Sequence, residues 1–130
     1  MKHTNKFYEV LEDYFPLVVL STYIFVQSAR PAVMVSYDGP TNYFVHKIAH
    51  VIVYSFLYLF SCRAFKDKKN ALVYCILFAI SDEVHQFFTP TRNASVIDLL
   101  IDATSILGTN YIVETYHSKI PNVLKKFFGL

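Results

Sequence analysis

Four mostly apolar stretches, roughly residues 15–35, 47–65, 71–88 and 96–113, run along the chain between short polar interruptions. Each approaches the roughly 20 residues that a helix rising 1.5 Å per residue needs to cross a hydrocarbon core. The interruptions are Asp38-Gly39-Pro40, Lys66-Asp67-Lys68-Lys69-Asn70 and Thr89-Pro90-Thr91-Arg92-Asn93, which combine helix breakers with charge. The pattern predicts an all-α polytopic membrane protein, a bundle of four transmembrane helices. Both flanks keep helical apolar spacing, with Phe7, Val10, Leu11 and Tyr14 at one end and Ile120, Val123, Leu124, Phe127 and Phe128 at the other. Short interfacial helices are expected there. Pro16 is expected in the first turn of the first span, and Pro31 should kink or end it.

Composition agrees with this reading. A chain of 130 residues has room for one domain, and 54% hydrophobic residues with a mean hydropathy of +0.34 is too apolar for an ordinary soluble domain of that size. No repeat or low-complexity tract divides it. The net charge of +2 and the lack of a basic run exclude nucleic acid as a partner; the bilayer is the expected one. Cys62 and Cys75 lie in apolar segments without metal-binding spacing and read as small core residues. Lys2 and Lys6 precede an apolar run, but Glu9, Glu12 and Asp13 make a poor signal-peptide n-region, so this segment reads as an uncleaved first span. Most basic residues fall at the termini and in the 63–69 region, against Arg30, Lys47 and Arg92 on the other side, which places both termini in the cytoplasm of a multi-pass cell-membrane protein.

Charge inside the spans changes the picture most. Lys47 and His50 open the second stretch, Asp82, Glu83, His85 and Gln86 close the third, and Arg92, Ser95, Asp98 and Asp102 lead into the fourth. A charge at the centre of a spanning helix costs roughly 2.5–3.5 kcal/mol on insertion scales, so these groups are expected to face one another. The predicted topology brings them to one depth, within roughly 10 Å of the outer interface. Spacing at i, i+3 and i+4 sorts them into stripes: Lys47, His50, Tyr54 and Tyr58; Asp82 or Glu83 with Gln86; Asp98 with Asp102.

The candidate acid/base groups are Glu83, Asp82, Asp98 and His50. Lys47, Gln86, Arg92, Asp102, His85 and Ser95 are the candidate ligand-binding groups. Ser95 stands three residues before Asp98, the arrangement of a capping box, and reads as a helix cap before it reads as a nucleophile. His50, Glu83, His85 and the aspartates are competent metal ligands, but no diagnostic spacing such as HExxH assigns a metal. Tyr54 and Tyr58 read as packing residues.

Three ordered motifs, Lys47 with His50, Asp82-Glu83-x-His85-Gln86-x-Phe88-x-Pro90-x-Arg92, and Ser95-x-x-Asp98, resemble the VanZ-like family of bacterial membrane proteins. Ile24-Phe25-Val26-Gln27-Ser28 is similar to the family's first-span ending. Asp102 stands where the family more often has Asn, and Ser105 and Thr109 stand where glycines are usual, with Gly108 one place off. The resemblance implies a role in the cell envelope, associated in the founding member with low-level teicoplanin resistance. The expected function is binding or processing of a head group or lipid-linked cell-wall intermediate, or of the glycopeptide, at an outer-leaflet acidic site. The alternative is a noncatalytic factor that binds drug, lipid or a partner protein. A small dimeric exporter fits less well, because the first span has no ionisable residue between Tyr14 and Arg30.

Overall fold

The computed structural model describes residues 6–30, 39–90 and 94–130. Their helices are α1 (Lys6–Ser28), α2 (Gly39–Phe65), α3 (Lys68–Phe87), α4 (Val96–Thr115) and a short α5 (Asn122–Phe128), with a single 3-10 turn at His117–Lys119 before α5. Among the described residues there is no strand. Helix α2 is the central element, packing against α1, α3, α4 and α5.

The start of α4 follows the sequence pattern; α3 takes in Lys68, Lys69 and Asn70 of the expected interruption, and the starts of α1 and α2 depart further. Helix α2 begins at Gly39, with Pro40 in its first turn, where a missing amide has no intrahelical bond to lose. Gly39-Pro40 therefore starts a helix instead of only breaking the chain, and Lys47 lies about 12 Å along α2 from its first residue. Helix α1 begins at Lys6, so Pro16 is interior, not in the first turn, and the carbonyl of Glu12 has no amide four residues on. Phe7, Val10, Leu11 and Tyr14 belong to this unbroken helix and form no separate one. Pro31, Asp38, Asn93 and Arg92 lie outside the described residues.

The turn between α2 and α3 has two residues. Lys66 adopts a left-handed φ of 53° while its amide donates to Cys62 O at 2.9 Å, closing α2. Asp67 then caps α3, its carboxylate accepting from the amides of Lys69 at 3.2 Å and Asn70 at 3.3 Å. A connection this short makes α2 and α3 antiparallel neighbours.

The core between the helices holds Leu17 and Ile24 of α1, Leu57 of α2, Ala71, Cys75 and Ala79 of α3, and Ile106 of α4. Both cysteines are buried and free, and Cys75 Sγ lies 3.3 Å from Ser61 Oγ. At the end of α2, α5 folds back so that Phe128 meets Phe60 at 5.7 Å between ring centroids. Gly129, at φ +67°, makes that close approach possible, since a Cβ there would stand 3.1 Å from Arg63 Cα.

Beside this apolar core, acidic and amide side chains are buried while the outer surface is largely apolar. Asp82, Glu83, Gln86 and Asp102 are buried, while Val18, Val19, Phe25, Ile48, Ile52, Val73, Leu77, Ile80, Val84, Leu100 and Leu107 are exposed. So much apolar surface needs a nonaqueous surrounding. Helices α2 and α4 are long and apolar enough to cross a membrane; α1 and α3 carry Glu9, Glu12 and Asp13, and Lys68, Lys69, Asp82 and Glu83, which lower their hydropathy.

Candidate functional site

The first stripe on α2 faces its neighbours at four successive levels. Lys47 pairs with Asp98 of α4 and also lies 4.8 Å from the Tyr43 ring centroid. One turn further, His50 Nδ1 meets Asp102 Oδ1 at 2.8 Å. Tyr54 then donates to Asp82 Oδ2 of α3 at 3.3 Å, and Tyr58 to Asn110 Oδ1 of α4 at 2.6 Å. Helical spacing delivers all four from one face, and Asp98, Asp102, Asp82 and Asn110 reach them from other helices.

The second stripe, on α3, divides. Asp82 is saturated by three donors: Ser28 Oγ at 2.5 Å, Tyr54 Oη at 3.3 Å and Gln86 Nε2 at 3.1 Å. It ties α1, α2 and α3 together, and Gln86 reaches Ser28 as well, at 3.4 Å. Glu83 points to α4 instead, its Oε2 accepting from the Ser95 amide at 2.8 Å. Ser95 caps α4 through its hydroxyl, which accepts from Asp98 N at 3.3 Å. The return bond of a capping box therefore comes from Glu83 on another helix, leaving Asp98 for Lys47. His85 stands apart, stacked on Phe25 of α1 at 4.3 Å between ring centroids.

Burial grades these groups. Asp102 is fully buried and Glu83 nearly so, whereas the Lys47 and Asp98 side chains are each 18% exposed and that of His50 is 24% exposed. Glu83 Oε1 and Asp102 Oδ2 are buried and have no hydrogen-bond partner among the described residues. Such an orphaned acceptor is costly unless a proton or a ligand donor meets it. The Asp102 carboxylate also holds the His50 ring at one nitrogen, an arrangement that fixes a tautomer and supports a general base. Lys47 can answer an anion, and Asp98, Glu83 and Asp102 can answer hydroxyl or ammonium donors. Among the described residues no three His, Cys, Asp or Glu side chains are gathered as a metal-binding group.

The structure thus brings Lys47, His50, Glu83, Ser95, Asp98 and Asp102 together between α2, α3 and α4, with Asp82 and Gln86 in an adjoining knot against α1. Sequence reasoning missed Ser28, Asn110 and the hydrogen-bonding role of Tyr54 and Tyr58. Their signal was polar atoms inside apolar runs at the helical spacing of the charged residues.

A family model described as VanZ/LLP1 matches residues 3–112. No curated protein and no solved structure matches the chain. With most of its length covered by that model, and with the charged motifs converging inside the matched region, the chain belongs to the VanZ/LLP1 family of membrane proteins.

Proposed function

We propose that the chain is a multi-pass cell-membrane protein of four spans, both termini cytoplasmic, whose acidic site lies in the outer leaflet and binds or processes the polar head of a lipid-linked envelope ligand. By altering that ligand it contributes to glycopeptide resistance of the teicoplanin type. The observation carrying the reading is a partly open ion pair, Lys47–Asp98, backed by the buried carboxylates of Glu83 and Asp102, each with one oxygen unpartnered among the described residues. Four spans are supported by the apolar residues that α1 and α3 expose outward while their polar partners face inward. The basic residues at the termini and in the α2–α3 turn support the orientation.

In this reading Lys47 and Arg92 attract phosphate, His50 positioned by Asp102 moves a proton, and Glu83 receives a hydroxyl or ammonium donor. A second reading, a noncatalytic factor that binds drug, lipid or partner, is favoured by one observation. The Ser95 hydroxyl is occupied as a helix cap and is not presented as a nucleophile.

The test uses Glu83→Gln, Asp98→Asn and Arg92→Ala in a strain lacking the native protein. Each is expected to abolish altered glycopeptide susceptibility at normal membrane expression, because the amides keep shape and hydrogen bonding while removing charge. Full phenotype in all three would overturn the site. Cysteines at positions 38 and 93, probed with an impermeant thiol reagent on intact cells, should label; labelling of position 67 instead would reverse the topology.

A further inference from the structure

Helices α2 and α4 line an open groove of about 480 Å³, with Val51 and Ser55 on one wall and α4 from Ile97 to Ile112 on the other. That volume is in the range of ligand sites, roughly 300–1,000 Å³. The hydroxyls of its α4 wall have committed their protons one turn back: Thr104 to Leu100 O at 2.7 Å, Ser105 to Ile101 O at 2.6 Å and Thr109 to Ser105 O at 2.7 Å. What the wall presents is chiefly hydrocarbon, together with the bare backbone of Gly108, where a Cβ would meet nothing within 4 Å. Hydrocarbon is the matching occupant.

The groove has a charged head. Lys47, Val51 and Ser55 follow at i, i+4 and i+8 on α2, and Asp98, Ile101 and Ser105 at i, i+3 and i+7 on α4. The Lys47–Asp98 pair therefore crowns the two walls, with both side chains partly open. From Asp98 to Ile112 the α4 wall runs about 21 Å, more than the roughly 15 Å of hydrocarbon in one leaflet. An occupant matching both parts has a long apolar chain and a head carrying both signs. A purely anionic head would meet Asp98, with Asp102 one turn below it.

We propose that this groove holds one hydrocarbon chain of a phosphoethanolamine lipid, its phosphate at Lys47 and its ammonium at Asp98. The inference rests on reading the Lys47–Asp98 end as a head-group site, and adds the lipid class and the path of its tail. The ammonium supplies N–H donors to Asp98, and the phosphate replaces part of the hydration of Lys47. The lipid lies along α4 within its own leaflet, so it enters sideways from the bilayer.

The test is native mass spectrometry of the full chain released from nanodiscs of equal phosphatidylethanolamine and phosphatidylglycerol with identical acyl chains. The wild type should retain phosphatidylethanolamine about tenfold over phosphatidylglycerol, the ratio expected of one charge-assisted hydrogen bond. Asp98→Asn should erase that preference. Gly108→Leu, whose Cβ starts in open space and whose side chain extends into the groove, should lower retention of both lipids while thermal stability holds. Equal retention of both lipids by the wild type would mean annular lipid only and overturn the proposal. A lipid-free dimer that Gly108→Leu dissociates would also overturn it, making the groove a face for a second copy. If lipid selectivity is absent while Glu83→Gln still loses the envelope phenotype, the groove falls and the site stands. Selectivity with an intact phenotype in all three site variants would uphold the groove and remove the site.

Discussion

The two ends of α2 handle charge in opposite ways. Near one end Lys47 and His50 meet Asp98 and Asp102, and Asp102 has no exposure at all. At the other, Arg63 meets Glu12 at 3.3 Å and Asp13 at 3.4 Å, and Lys66 meets Asp13 at 2.9 Å. There the carboxylates keep contact with solvent, Glu12 at 78% exposure and Asp13 at 27%. Arg63 also donates to Phe127 O at 3.1 Å and lies 5.1 Å from the Phe127 ring centroid, so it fastens α1 and α5 to the same turn of α2. Exposed pairs are typically worth about 0–1 kcal/mol, whereas removing one partner of a buried pair costs about 3–5 kcal/mol. A fold that needed only to join helices has the cheaper device at hand, as the Arg63 end demonstrates. Burying Asp82, Glu83 and Asp102 at the other end is an expense that joining helices does not require.

The sharpest way to break this contrast is His50→Leu. It leaves Asp102 buried without its partner and should cost about 3–5 kcal/mol, read as a large fall in melting temperature in detergent. The double variant His50→Leu with Asp102→Leu should recover most of that stability while the envelope phenotype stays lost. Recovery of the phenotype as well would make the pair a fastener like Arg63.

Smaller effects belong to the other end. Arg63→Ala removes the ion pairs to Glu12 and Asp13, the carbonyl contact and the ring contact together, with an expected loss of about 1–2 kcal/mol and an unchanged phenotype. A phenotype lost at normal expression would show that this end also belongs to the proposed site. Glu12→Gln should change stability by no more than about 0.5 kcal/mol. Thermal unfolding of the two variants side by side measures both values.

Helix periodicity and turn chemistry made much of the fold legible in the sequence. Ser95 marks the start of α4, whereas Asp67 read only as part of a polar interruption, and the i, i+3, i+4 stripes anticipate which faces turn inward. Pro16 and Gly39-Pro40 misled because proline is both a helix breaker and a first-turn residue, and local sequence does not say which role applies. The charged residues of the site were legible from their cost in an apolar run. Their pairing was not. Nothing in the spacing assigns Lys47 to Asp98 and His50 to Asp102, or separates Asp82, with its three donors, from its neighbour Glu83, because those choices depend on how the helices are rotated against one another. Ser28 and Asn110 were missed for a related reason: a single hydroxyl or amide in a span costs little enough to pass as neutral.

The two-residue turn at Lys66 and Asp67 acts as a vernier for the whole site. Counting away from it in both directions brings His50 and Glu83 to matching positions on α2 and α3. One residue inserted between Lys66 and Asp67 would advance α3 by about 1.5 Å and rotate it by about 100°. Asp82, Glu83 and Gln86 would swing away from their partners together, and the Ser95 amide at the start of α4 would lose the Glu83 carboxylate that it bonds. Length is normally free to vary in a surface loop; here it is fixed by hydrogen bonds made at the other end of the bundle.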